Sequence, residues 1–559
     1  MDRRTTLSTL LGRKKTKPLS SAVLTPSLQT GLTPYQGNWT FEQAAHLLRR
    51  TIFGPTKVEI EATAQRGLSR TIDLLFAQKE MPAPPINYNF DKDPAVPIGE
   101  TWVNAVHTRG ELRGMIRAYR NRSLGAWNIG QLINSEVSIR EKMTLFWHNH
   151  FVVQASVVRD PIYIYNYISL LRENATGNFK ELVKKVTIDP AMLRYLNGNQ
   201  NSRVNPNENY ARELMELFTV GKGELAGSGD YTTFTEDDVI EAAKILTGWR
   251  DFGYFSDNAQ NRPRAIFVRN RHDRTDKTLS HRFGNAVIDN QDATEYEALI
   301  DLIFQQAATA TFICRKLYRW FVYSEIDEAV EQQVITPMAE LLVANDFEIA
   351  PVLKALLSSE HFFEASFKGP MIKNPMDFVI GLYRQTAINI DPTDRRSYTT
   401  WWRIAQYMPN LQMVYFDPPD VAGWKAYYQE PGFYQTWISS ATLGPRMDLT
   451  NAMALKGVRI AGRDVVIDVL ALAAEIENAT DPNVLIDGLA KMLFPQPITD
   501  QQKAALKEVL IPGLPDFEWT VEYGDYLAHP DNEDLKTGAE NRLRALLQAM
   551  LVMPEYYLM

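Results

Sequence analysis

The sequence predicts a mainly α protein: a large multi-helical orthogonal bundle with a small β-ribbon insertion near residues 255–288. Three observations predict it. Helix-start signals recur along the chain. Apolar residues repeat at helical spacing over long segments. No stretch reads as a parallel sheet, a glycine-rich phosphate loop or a sustained heptad array. The 559 residues are 45% apolar and 23% charged, ordinary values for a globular chain. At roughly 150 residues per domain, the length permits three or four units or one large helical body. We expect a polar tail over 1–36 and one body over 37–559, with points of subdivision near 290 and near 440.

The totals also exclude some functions. A net charge of -8 argues against general nucleic-acid binding, which needs a basic footprint. The single cysteine, Cys314, rules out an intramolecular disulfide and a thiolate-rich metal site. No run approaches the roughly 18 apolar residues of a transmembrane helix.

Taken in order, the chain opens with "MDRRTTLSTLLGRKKTKP". Arg3-Arg4 precedes a weakly apolar "TLSTLLG". A secretory signal needs an apolar stretch of roughly 7–15 residues, and here Thr, Ser and "RKK" interrupt it. A basic tail on a cytoplasmic protein is one reading; a shortened twin-arginine export signal is the other. Helices follow. Thr40 with Gln43, Thr56 with Glu59 and Thr499 with Gln502 match capping boxes, and Thr235 with Asp238 is the acidic variant. Gly54 and Gly248 stand where helices end. Residues 251–290 break the pattern, and "AIFV" with "TLSHRFG" is read as a β-ribbon. Long helical segments are expected at 293–325 and 328–358. A Pro- and Trp-rich loop region covers 409–437, and helices resume to the end. "LKALLSSEHFF" and "LQAMLVMPEYY" share a helix, a turn, an acid and an aromatic pair.

Four clusters carry polar chemistry. In "EKMTLFWHNHF", residues 141–151, Glu141, Thr144 and His148 share one helix face. His150 lies about 200° around the helix from His148, at about 100° per residue, so one helix cannot aim both rings at one ion. The plainer reading is a buried helix end with hydrogen-bonded histidines. In "NPNENYARELMELF", residues 205–218, Glu208, Arg212 and Glu216 recur every four residues, with Glu213 beside them. This is a carboxylate wall or a solvated face held by ion pairs. In "RNRHDRTDK", His272, Asp273 and Lys277 offer a base, a ligand or an anion contact. In "YFDPPDVAGWKAYY", Trp424 caps either a core or a binding cleft. No HExxH, no Glu-x-x-His and no G-x-S-x-G occurs.

Several of these pieces together resemble a bacterial family known only as domain of unknown function 1800. The matching stretches are "AAHLLRRTIFGPT", "REKMTLFWHNHF", "NPNENYARELMELFTVG", "FTEDDVIEAAKILTGW", "RHDRTDKT", "FDPPDVAGW" and "MPEYY", from about residue 40 to the C-terminus. The family has no established activity. The resemblance implies twin-arginine-type signals in many members and a neighbouring gene for a protein similar to sulfatases and alkaline phosphatases.

Two functions are expected. The first is a hydrolytic enzyme, metal-dependent or acid–base, with His148, Glu213, His272 and Asp273 as catalytic groups. His148, Glu213 and Glu216 would hold a divalent metal. Arg212, Lys277 and Trp424 would bind substrate, and Glu141, His150 and Glu208 would support these groups from behind. The second is a non-catalytic partner that binds or escorts the sulfatase-like neighbour. The "FDPPDVAGW" loop separates them: buried over the histidines it favours a site, exposed it favours a partner.

Overall fold

Helix Arg140–His150 is buried from Glu141 to His150, with no solvated face. A helix without a polar stripe needs neighbours all round, and the architecture supplies them. Trp147 stacks on Phe179 of helix Phe179–Thr187, with ring centroids 5.5 Å apart. Phe146 meets Trp320 of helix Ala307–Phe321 edge-on at 5.5 Å. The Trp147 indole donates to the Ala175 carbonyl at 2.8 Å, just past helix Pro161–Glu173. This arrangement comes from a computed structural model that describes residues 31–388, 390–460 and 462–559. The Arg3-Arg4 segment and most of the expected tail lie outside the described residues.

The fold is mainly α, with small two-stranded antiparallel ribbons. No described helix is long and apolar enough to cross a membrane. Buried apolar side chains from Ala44 to Met559 form one connected core. Arg49 donates to the carbonyls of Lys491 and Met492, and the Met559 amide donates to Met371, so distant parts of the chain meet in it.

Local signals set most helix starts. Thr56, Thr235 and Thr499 close capping boxes with Glu59, Asp238 and Gln502. Thr40 differs: its hydroxyl accepts from the Glu42 amide and donates to Gln43 Oε1, so the reciprocal bond to its own backbone is not made. A further box, Ser439 with Thr442, opens helix Ser440–Leu455. Gly54 and Gly248 both take left-handed φ, 55° and 93°.

The ribbon region departs from expectation. Arg264–Phe267 pairs with Trp249–Phe252, and Lys277–Thr278 pairs with Val287–Ile288. The expected pairing of "AIFV" with "TLSHRFG" does not form. Between them the Arg269–Arg271 turn buries His272 completely and carries the chain away. The two long helical segments are also divided. Residues 293–325 break between Ile303 and Ala307. Residues 328–358 widen into a π-turn at Glu331–Ile335, just before Pro337, which has no N–H to continue the ladder. Left-handed Asp346 and Phe347 then turn the chain into helix Ile349–Leu357. The two similar segments each end a helix and deliver a buried aromatic pair, Phe362-Phe363 and Tyr556-Tyr557.

Candidate functional site

Helices Arg113–Ile133 and Ser397–Tyr407 pack through small residues on one and large rings on the other. A Cβ on Gly130 would lie 2.7 Å from the Trp401 ring, and one on Gly125 would lie 3.2 Å from Trp402. Beside this contact lies a cleft of about 530 Å³. Leu124, Ile129, Met376 and Trp402 form apolar walls. Arg122 and Asp417 stand at its mouth, and Asn128 and Tyr415 form its floor. Such a cleft, mostly apolar with few converging polar groups, is the usual form of a small-molecule site.

The floor is electrostatically unusual. Asn128 is 1% exposed and Tyr415 5%; the Asn128 amide nitrogen faces the Tyr415 hydroxyl, lowering the phenol pKa as a donor does, and neither group has a further partner. The Asn128 oxygen accepts from Arg172 Nη2 at 3.4 Å. A guanidinium has only donors, so this contact fixes the flip of the amide and turns its N–H groups toward Tyr415. Arg172 is held by Glu141, with N–O distances of 2.9 and 3.0 Å, and lies 4.9 Å over the Trp127 ring. Burial pushes the Tyr415 phenol up, opposed by Arg172 and Asn128, so the hydroxyl keeps its proton at neutral pH.

His148 supports this floor from beneath and does not line the cleft. Its Nε2–H donates to the Tyr415 carbonyl at 2.7 Å, and its ring stacks on the Tyr415 ring at 5.5 Å and 17°. Its Nδ1 is buried without a partner. Burial pushes its pKa down to about 4, against the pull of the carbonyl bond. The loop of residues 415–428 wraps over it. The Trp424 amide donates to Asn149 Oδ1 at 2.9 Å, and the Trp424 ring meets His148 at 6.2 Å. Three of the loop's rings, Tyr415, Phe416 and Trp424, are buried against this histidine, and Tyr428 is exposed.

The other residues expected at a site lie in separate places. His150 Nε2–H donates to the Phe218 carbonyl at 2.9 Å, on the far side of the helix from Tyr415. Arg212 pairs with Glu236 through two bonds of 2.7 and 2.8 Å, Glu216 lies 3.5 Å from Lys222, and Glu208 is exposed. Glu213 is half-buried between them, its carboxyl raised by burial and by Glu216. This face carries ion pairs at the surface. His272 and Lys277 are fully buried against Glu295, at 2.9 and 2.5 Å, and Asp273 turns instead to Thr275. That knot ties the ribbons to helix Glu295–Ile303. His148, Glu213 and Glu216 are not gathered as metal ligands: among the described residues no three His, Cys, Asp or Glu side chains are placed to hold one ion. Their own partners account for it, since His148 is turned to a backbone carbonyl and Glu216 to a lysine.

Sequence reasoning passed over Asn128, Arg172 and Tyr415. Asn128 had a signal, as an amide set between Trp127 and Ile129 within the apolar run "SLGAWNIGQLI". Arg172 and Tyr415 are drawn in by tertiary contacts.

A family model described as "Protein of unknown function (DUF1800)" matches residues 46–558. No curated protein and no solved structure matches the chain.

Proposed function

The chain belongs to the DUF1800 family of proteins of unknown function, and within that family we propose that it binds a small carbonyl-bearing molecule in the 530 Å³ cleft and polarises its carbonyl oxygen. The observation that carries this reading is the buried pair beneath the cleft, Asn128 Nδ2 and the Tyr415 hydroxyl, which face each other and have no further partner. An unpaired buried donor costs about 1–3 kcal/mol. A carbonyl oxygen has two lone pairs and satisfies both donors at once. The apolar walls suit a flat hydrocarbon body, and Arg122 and Asp417 meet any polar tail at the mouth.

Two fixed donors in a water-poor floor also stabilise the oxyanion formed when water attacks an acyl carbon. Hydrolysis of an acyl group is the reaction class this supports. Asn128 and Tyr415 then do the work first expected of the histidines, and His148 is a positioning residue beneath Tyr415.

The test compares two probes of equal shape, 4-fluoroacetophenone and 4-fluoroethylbenzene, by fluorine NMR titration against the whole chain. The ketone is expected to bind at least about tenfold tighter, the worth of one good hydrogen bond. Equal affinities for the two probes overturn the reading.

A second reading, the escort of a sulfatase-like partner, is favoured by one surface. Helix Asp516–Ala528 leaves Phe517 60% and Val521 54% exposed, one turn apart on one face. Exposed apolar clusters of this kind mark contact sites. Loss of co-purification with the neighbouring protein in Phe517→Ser supports this reading; failure of the wild type to co-purify counts against it.

A further inference from the structure

A second cavity, of about 440 Å³, is lined by Phe312, Lys316, Arg319, Asp327, Glu328 and Glu331. Lys316 Nζ sits in its wall, 4.6 Å over the Phe312 ring. It donates to the Leu217 carbonyl and to His150 Nδ1, both at 3.1 Å. Both contacts depend on an irregular turn. Residues Leu214–Thr219 form a π-helix, and it presents the Leu217 carbonyl to Lys316 and the Phe218 carbonyl to His150. Short π-segments of this kind recur at functional sites. Because His150 gives its Nε2 proton to Phe218, its Nδ1 is a bare acceptor aimed at the amine.

The amine has no ion-pair partner within 4 Å among the described residues. The nearby acids are engaged elsewhere. Glu331 takes both ends of Arg315, at 2.7 and 2.9 Å. Asp327 caps the Val330 amide, and Glu328 accepts from Gln332. Arg319, one turn along from Arg315, gives its Nε–H to the Ser324 carbonyl and only approaches Glu430, at 3.8 Å.

We propose that Lys316 is a nucleophilic amine that forms an imine with an oxo acid entering this cavity. His150 is its proton acceptor, and Arg319 holds the ligand's carboxylate. The nitrogen lone pair attacks the carbonyl carbon, and the C=O electrons move to oxygen, which takes a proton. His150 Nδ1 takes one of the two protons on the attacking nitrogen and passes it to that oxygen, so the histidine ends neutral as it began. The carbinolamine then loses one water to give the C=N bond, so one amine and one carbonyl yield one imine and one water, with no change of oxidation state. Burial, and then Arg319, push the Lys316 pKa down to about 7. A useful fraction of the amine is therefore free at neutral pH, as a nucleophilic lysine requires.

The full-length chain is incubated with glyoxylate and cyanoborohydride near neutral pH, digested, and mapped by mass spectrometry. Reduction traps the imine as a carboxymethyl-lysine. Lys316 is expected to be labelled more than about tenfold faster than the exposed Lys425 and Lys456, with its rate levelling above about pH 7 rather than about 10. The comparison is made among lysines of one folded protein, so it does not depend on a variant folding. His150→Gln and Arg319→Gln are each expected to slow labelling of Lys316 alone. Labelling of Lys316 no faster than Lys425 overturns the proposal. Equal labelling by propionaldehyde, which lacks the carboxylate, overturns the oxo-acid assignment.

Discussion

The Arg172 guanidinium donates to the Asn128 side-chain oxygen at 3.4 Å, and this contact decides which end of the amide faces Tyr415 at the cleft floor. Behind it, Glu141 fixes Arg172. A chain of three buried side chains thus aims one donor, while His148, through the Tyr415 backbone, places the other. These two supports hold Asn128 and Tyr415 together beneath the cleft.

Asn128→Leu keeps the size of the side chain and removes the donor. Binding of the ketone probe is expected to weaken about tenfold, with little change for the hydrocarbon probe. Paired fluorine titrations of wild type and variant check this.

Glu141→Gln leaves the Arg172 charge buried against Trp127 without its counter-ion. The expected cost is about 3–5 kcal/mol of stability. The double variant Glu141→Gln with Arg172→Met removes the stranded charge and is expected to recover part of that loss. Urea unfolding of four proteins, the wild type, Glu141→Gln, Arg172→Met and the double variant, compared as a double-mutant cycle, measures both effects.

Acid should weaken the fold through its buried histidines. Burial lowers His148 and His361 to about 4, and it also lowers His46 and His150. The unfolded chain protonates histidine near about 6.5. Between these values the unfolded state binds more protons than the folded state. Stability is therefore whole above about pH 6.5 and falls as pH drops toward about 4. His148 accounts for about 3 kcal/mol of that fall at the acid end. His148→Gln, which keeps a donor for the Tyr415 carbonyl, should give a shallower decline in urea midpoints across this window.

Gly423 has φ of 96°, and a Cβ there would meet the Asn149 carbonyl at 2.5 Å. Gly423→Ala is expected to cost more than about 1 kcal/mol and to loosen the loop that carries Tyr415. Thermal unfolding checks the first effect, and ketone affinity falling in step checks the second.

Much of the fold could be read from short-range signals. The Thr56, Thr235 and Thr499 boxes are written within four residues each, and the structure closes them. The divergence of His148 and His150 followed from the helical repeat alone, and their partners lie on opposite sides. What could not be read was which distant atoms they would meet. Tyr415 lies 267 residues from His148, and Lys316 lies 166 from His150. The carbonyls that receive Lys316 and His150 exist because a helix widens into a π-turn, which side-chain periodicity does not encode. The alternating charges of Glu208, Arg212 and Glu216 fitted a surface ion-pair face as well as a ligand wall, and only tertiary packing shows the ion pairs.

The most direct measurement is the infrared carbonyl stretch of 4-fluoroacetophenone bound to the protein. Two donors on one oxygen weaken its double bond. We predict a shift to lower frequency than in an apolar solvent, reduced in Asn128→Leu and in Tyr415→Phe and abolished in the double variant. A bound probe whose stretch matches the apolar solvent, unchanged by either substitution, would contradict the account.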